Sequence, residues 1–235
     1  MHLVLDIIME CYACIAFQIL SAAYLVLSIA RPFPRCYGER GPRRPLLLVH
    51  GYMNNPAVFW LLIARLRGMG VTDIHAVTLF PPWSSMEVFA SQVSKAVEGI
   101  LRGGSGEKVD ILGHSMGGAV VAYYLKFLGG SKKTRNFLAA GTPFRGTHLA
   151  YLGSGRCAFQ MTPFSRFIRR LDFEPGDVPA TTVYCLRAAF DEYVLPNRSA
   201  FLGPPGVDLR FAHLGHGGLL LSRKSAAQIA KVLAP

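Results

Sequence analysis

A serine between two glycines stands where the chain is expected to turn sharply. The segment GHSMG at 113–117 follows an apolar run at 109–112 and precedes residues that favour a helix. A strand, a tight turn and a helix in this order are the context of a nucleophilic serine in a G-x-S-x-G motif. The glycines remove Cβ atoms where the helix passes close to the strand. The sequence therefore predicts that Ser115 exposes its hydroxyl at the apex of the turn and acts as a nucleophile.

A nucleophilic serine requires a base that takes its proton and an acid that orients the base. With this motif, the acid follows the serine along the chain and the histidine comes last. We expect Asp191 to be the acid, just after a buried strand at 182–188, and His216 to be the base, after a strand at 207–212. His216 would take the proton of Ser115, and Asp191 would stabilise the charged imidazole.

The sequence leaves alternatives open at each of these positions. His213 lies three residues closer to the last strand than His216 and is the rival base. A serine in an ordinary strand-to-helix turn is the interpretation of Ser115 that involves no chemistry. The rival acids are Glu192, Asp177 and Asp172.

Four segments of the chain carry a resemblance to a known family. They are VHGY at 49–52, KVDILGHSMGG at 108–118, GTPFRGT at 141–147 and GHGGLL at 215–220. With these segments, the chain resembles the α/β-hydrolase superfamily and, within it, the small bacterial lipases and esterases with little or no lid. The resemblance extends over roughly residues 44–235 and implies hydrolysis of carboxylic esters through an acyl-serine intermediate. An acyltransferase or thioesterase with the same triad, or a non-catalytic membrane scaffold on this fold, are the alternatives.

Two backbone N–H groups are expected to form the oxyanion hole, which binds the negatively charged oxygen of the reacting ester. One belongs to Met116, the residue after the serine. The resemblance gives Tyr52 as the position of the other donor, in the loop after a strand at 45–49. His50 and Gly51 precede it in this loop and are expected to contact the substrate, with His50 shaping the loop rather than moving protons.

About forty residues before the strand at 182–188 must cross the catalytic face. This cap is expected at about 148–181 with a helix near 163–171, and its small size predicts an open cleft. Five apolar residues are expected to line an acyl pocket, and ordinary core residues are the alternative for each. They are Phe144, Phe159, Met161, Phe164 and Phe167.

Strands and helices alternate through the rest of the chain. This alternation predicts an α/β-hydrolase fold, with a mostly parallel sheet and helices on both faces. The other predicted strands are 73–79, 108–112 and 136–140, and the other predicted helices lie near 55–67, 85–102, 116–128 and 222–233.

The N-terminal residues have the composition of a membrane-spanning helix. Residues 11–30 contain no charged side chain and are long enough to cross a bilayer as a helix. We expect residues 1–30 to be a single-pass membrane anchor, 31–44 a basic linker, and 45–235 the catalytic domain. The arginines after the span favour a cytoplasmic catalytic domain. An export signal and a buried core helix are the alternatives.

The net charge of the chain is +11, and the arginines at 166–170 lie among apolar residues, which suits anionic lipid head groups. No nucleic-acid-binding motif accompanies this charge, so no nucleic-acid partner is expected. The five cysteines show no metal-binding spacing and no disulfide pattern. The expected partners are an ester or lipid substrate and a membrane, with no cofactor and no metal. The sequence does not indicate an oligomeric state.

Overall fold

A computed structural model of the chain describes residues 36–37, 44–104 and 106–234. Its strands form one seven-stranded sheet. The strands are β1 (Cys36–Tyr37), β2 (Leu46–Val49), β3 (Ile74–Val77), β4 (Val109–His114), β5 (Thr134–Ala140), β6 (Thr182–Ala188) and β7 (Val207–Phe211). Their order across the sheet is β1-β3-β2-β4-β5-β6-β7. Strands β2 to β7 run parallel, and β1 pairs antiparallel with β3 at one edge.

Helices cover both faces of this sheet. They are α1 (Trp60–Gly68), α2 (Met86–Arg102), α3 (Met116–Phe127), α4 (Gly155–Gln160), α5 (Arg166–Leu171), α6 (Gly218–Leu221) and α7 (Arg223–Val232). The predicted cap contains a 3-10 helix at His148–Leu152 and the short helices α4 and α5. α5 begins at Arg166, later than predicted, because the hydroxyl of Ser165 accepts a hydrogen bond from Ile168 N and caps the helix.

The apolar residues of β2 show how the two layers of the core arise. Successive side chains of a strand point to opposite faces of the sheet. Leu47 and Val49 therefore pack in the cluster that contains residues of α2 and α3, whereas Leu46 and Leu48 pack in the cluster that contains residues of α1 and α7. All four are buried, so β2 lies at the centre of the molecule.

The predicted fold is confirmed, with a parallel sheet of six strands and helices on both faces. The antiparallel strand β1 was not predicted. Among the described residues, no helix is long and apolar enough to span a membrane. The predicted anchor at 1–30 lies outside the described residues, as does most of the predicted linker at 31–44.

The first turn of α3 packs directly on the carboxyl end of β2. A Cβ atom on Gly117 would lie 2.4 Å from the carbonyl oxygen of Val49 and 2.5 Å from that of His50. Both atoms belong to the backbone, so neither can move aside without shifting the strand. Only glycine allows this approach of helix to strand.

We predict opposite effects on stability for two glycine-to-alanine substitutions within helices. Gly117→Ala should lower the free energy of unfolding by about 1–3 kcal/mol or more, because the added methyl group overpacks the elbow. Gly99→Ala is the matched control in α2, where a Cβ atom would meet nothing within 4 Å. It should raise stability by roughly 0.5–1 kcal/mol. Chemical denaturation measures both values, and equal effects would contradict the packing described.

Candidate active site

Ser115 lies at the sharp turn between β4 and α3. Its backbone has φ of 56° and ψ of −128°, a conformation that non-glycine residues rarely adopt and that costs about 1–3 kcal/mol. Two hydrogen bonds hold the turn. Ser115 N donates to the carbonyl oxygen of Ala140 on β5 at 2.8 Å, and Gly118 N donates to that of Ser115 at 3.0 Å. The half-buried serine lines a cavity at the carboxyl edge of the sheet.

The loop after β2 lies against the serine. A Cβ atom on Gly51 would be 2.9 Å from the Cβ atom of Ser115, so any larger residue would push the loop and the serine apart. Gly51 does not line the cavity, but it allows the next residue, Tyr52, to do so. Gly51 was predicted to contact the substrate; the contact that the structure shows is its packing against Ser115.

His216 and Asp191 form a buried hydrogen-bonded pair. The imidazole Nδ1 lies 2.9 Å from each carboxylate oxygen of Asp191. The Oδ1 atom also accepts hydrogen bonds from Tyr193 N at 3.0 Å and Val194 N at 2.9 Å, which fix the carboxylate. Since an ionised carboxylate can only accept, Nδ1 carries the proton in this pair. The tautomer leaves Nε2 without a proton, as a general base requires.

Three further contacts hold the imidazole in place. The ring of His216 contacts those of His114 and Tyr193, with centroid distances of 4.6 and 5.0 Å. Its backbone N donates to a carboxylate oxygen of Glu192 at 3.1 Å. Two successive carboxylates therefore bind the same residue: Asp191 holds the side chain and Glu192 holds the backbone.

The rival residues have other surroundings. His213 is exposed in the turn after β7 and does not line the cavity. Asp177 forms an ion pair with Lys126 at 2.8 Å, and the carbonyl oxygen of Asp172 accepts from the same ammonium group at 2.9 Å. Glu192 contacts the backbone rather than the ring of His216. Of the four predicted acids, the structure places only Asp191 against the imidazole.

His50 uses both ring nitrogens within the protein. Leu79 N donates to Nε2 at 3.0 Å, so the ring proton is on Nδ1, which donates to the carbonyl oxygen of Gly51 at 3.0 Å. Burial without a countercharge lowers the pKa of His50 to about 4. His50 does not line the cavity; it joins the loop after β2 to the loop after β3.

The two expected oxyanion donors belong to elements that meet at Ser115. Met116 is the first residue of α3, and the N–H groups of a helix's first turn have no acceptor within the helix. Tyr52 lies in the cavity wall, where its hydroxyl donates to Ser154 O and accepts from Ser154 N, each at 2.8 Å. This contact, which the sequence did not predict, ties the loop after β2 to the cap.

The cavity beside Ser115 has a volume of about 320 Å³, and both Ser115 and His216 line it. Residues of the cap form much of its wall. The apolar residues that line the cavity are Met53, Pro143, Leu149, Ala150, Leu152, Ala158, Met161 and Val194.

The four phenylalanines predicted for an acyl pocket do not line this cavity, whereas Met161, the fifth predicted residue, does. Phe144 is buried and stacks on Phe173 at a centroid distance of 5.7 Å. Phe167 is buried and stacks on Tyr123 of α3 at 5.6 Å, so it attaches the cap to the core. Phe164 points outward with 79% of its surface exposed. Phe159 is exposed as well. Hydrophobicity alone did not distinguish a residue of the pocket from one of the core or the surface.

Residues 46–231 match the family model of the alpha/beta hydrolase family. The chain belongs to this family. Lipase B of Aspergillus fumigatus is similar to this hydrolase in structure, with a TM-score of 0.74 and 19% identity over 86% of this chain and 55% of that one. The chain thus spans about half the length of that lipase.

Two other solved structures cover nearly all of their own chains in the comparison. The mature form of the Bacillus licheniformis lipase BlEst2 has a TM-score of 0.72 at 15% identity, over 86% of this chain and 96% of that one. Tomato methylketone synthase I, complexed with 2-tridecanone, has a TM-score of 0.58 at 12% identity, over 83% of this chain and 100% of that one. At these identities, the likeness shows the shared fold.

We predict that the hydrolase loses stability in acid partly through His50. The folded protein keeps this ring neutral down to about pH 4, whereas the unfolded chain takes up a proton near pH 6.5. Acid therefore favours the unfolded state, and this group alone should lower the free energy of unfolding by about 3 kcal/mol between pH 6.5 and 4.

His50→Asn removes the titrating ring while keeping a polar side chain. The variant should be less stable than the wild type at pH 7, because two buried hydrogen bonds change. Its stability should nevertheless fall less steeply with acid. Urea denaturation at several pH values measures the slope, and equal slopes for the two proteins would contradict the account of His50.

Proposed function

We propose that this hydrolase cleaves carboxylic esters by two-step acyl transfer through an acyl intermediate on Ser115. One observation carries the proposal: Ser115, on its strained turn, and the buried His216–Asp191 pair meet at one apolar cavity. A nucleophile and an oriented base at the same cavity are the geometric requirements of this chemistry. The two lipases of similar fold are consistent with it, whereas the synthase of similar fold shows that fold alone does not select the reaction.

In the proposed reaction, Ser115 Oγ attacks the ester carbonyl carbon while Nε2 of His216 takes the hydroxyl proton. The carbonyl oxygen becomes negatively charged and binds the N–H groups of Met116 and Tyr52. The tetrahedral intermediate then collapses, the C–O bond to the alcohol breaks, and His216 returns the proton to the leaving oxygen. Asp191 stabilises the imidazolium in both steps.

Water completes the cycle by the same route. His216 takes a proton from a water molecule while the water oxygen attacks the acyl carbon. The bond between the acyl carbon and Ser115 Oγ then breaks, and His216 returns the proton to Oγ. An acyltransferase or thioesterase would differ only in the acyl acceptor or donor. Product analysis with an added alcohol or thiol distinguishes hydrolysis from transfer, because a transferase forms the new ester or thioester in preference to the acid.

We propose that the acyl group of the substrate is apolar. The cavity wall carries eight apolar side chains around Ser115, among them Leu149, Ala158 and Met161. An apolar chain would gain about 25 cal/mol for each Å² removed from water, whereas a charged acyl group would lose its hydration there. A series of p-nitrophenyl esters of increasing chain length tests this directly.

Membrane attachment stays a proposal that rests on the sequence of residues 1–30. Cell fractionation tests it: recovery of the full-length protein in the soluble fraction without detergent would argue against membrane attachment.

We predict that Ser115→Ala and His216→Ala each lower kcat/KM for p-nitrophenyl esters by at least ~10³-fold, because members of a triad act as a unit. His213→Ala is the matched control, an exposed histidine in the same loop. It should retain activity within a factor of a few. Circular dichroism confirms that each variant is folded. The assignment of the base would be wrong if His213→Ala abolished hydrolysis while His216→Ala did not.

A further inference from the structure

A second group of ligand-forming side chains lies at the opposite end of the sheet from Ser115. β1 pairs antiparallel with β3, and Cys36 lies opposite His75 in this pair. Residues opposite each other in such a pair point to the same face, and Asp73 precedes His75 by two residues. One ligand atom of each residue lies within 4.8 Å of the other two. Among the residues that the structure describes, this is the only such group of three.

The three side chains supply three kinds of ligand atom, sulfur, nitrogen and oxygen, that can bind a metal ion. A thiolate, an imidazole and a carboxylate are the ligands that zinc takes in proteins. With bonds of about 2.0–2.3 Å in a tetrahedron, ligand atoms lie roughly 3.3–3.8 Å apart. His75 Nε2 is now 2.7 Å from Asp73 Oδ1, so small side-chain movements would open a site of this size.

Burial and charge also favour a cation at this place. The carboxylate of Asp73 is only 4% exposed, and Cys36 is exposed at the sheet edge. A buried carboxylate is costly unless a cation or several donors stabilise it. Thiolate and carboxylate together carry two negative charges, which balance Zn²⁺ beside a neutral imidazole.

We propose that Cys36, Asp73 and His75 bind one Zn²⁺ ion. The thiol releases its proton to solvent on binding, and the metal replaces the hydrogen bond between His75 and Asp73. The ion would fasten β1, which has only two residue pairs with β3 and is too short to be stable alone. It would thereby fix the point at which the N-terminal segment joins the sheet. This site does not depend on the proposed esterase activity.

The test uses the full-length protein, loaded with Zn²⁺ and freed of loosely bound metal by dialysis. Elemental analysis should find one zinc per chain. Replacement by Co²⁺ should give the charge-transfer absorption of a cobalt–thiolate bond. Cys36→Ser should abolish that absorption, and both Cys36→Ser and His75→Asn should weaken zinc binding by at least about 100-fold. Zinc should raise the unfolding temperature of the wild type but not of Cys36→Ser.

His148→Asn is the matched control for adventitious binding, because His148 is an exposed histidine outside the cluster. It should bind zinc as the wild type does. Two results would overturn the proposal. The first is wild-type protein that retains no zinc after dialysis, which would leave His75 and Asp73 as a hydrogen-bonded pair only. The second is an unchanged cobalt–thiolate absorption in Cys36→Ser, which would place the metal on other cysteines.

Discussion

The close contact between α3 and the carboxyl end of β2 is the constraint on which the site depends. At Gly117, the helix backbone approaches the carbonyl oxygens of Val49 and His50 more closely than any side chain would allow. This contact presses the first turn of α3 against the loop that carries Gly51 and Tyr52. As a result, the serine, the first N–H group of a helix and the loop expected to supply the second oxyanion donor lie side by side. The strained backbone of Ser115 is held by hydrogen bonds to Ala140 of β5 and Gly118 of α3.

A second constraint is electrostatic and concerns three buried histidines, His50, His114 and His216. Burial lowers the pKa of His50 to about 4, and burial followed by the nearby His216 holds the pKa of His114 well below its usual value. Both rings are therefore neutral at physiological pH. A positive charge that forms on His216 during proton transfer would meet the neutral ring of His114, at a centroid distance of 4.6 Å, and the carboxylate of Asp191 at Nδ1.

Local patterns in the sequence predicted the fold and the positions around the nucleophile, because in a parallel sheet every residue that follows a strand reaches the same edge. Asp191 and His216 follow different strands and meet for this reason. Long-range packing could not be predicted in the same way. Phe144 and Phe167 have the hydrophobicity of pocket residues, yet they face Phe173 and Tyr123 in the core. The cluster of Cys36, Asp73 and His75 has no metal-binding spacing, since only the pairing of β1 with β3 brings the cysteine to the other two residues.

The central claim is that His216 activates Ser115 as a nucleophile. Labelling with a fluorophosphonate probe tests it most directly, because the probe reacts covalently with an activated serine and needs no knowledge of the natural substrate. The account predicts that the wild type is labelled at Ser115, as identified by peptide mass spectrometry, and that labelling slows by orders of magnitude in His216→Ala. Labelling at a different serine, or an equal rate in His216→Ala, would contradict it.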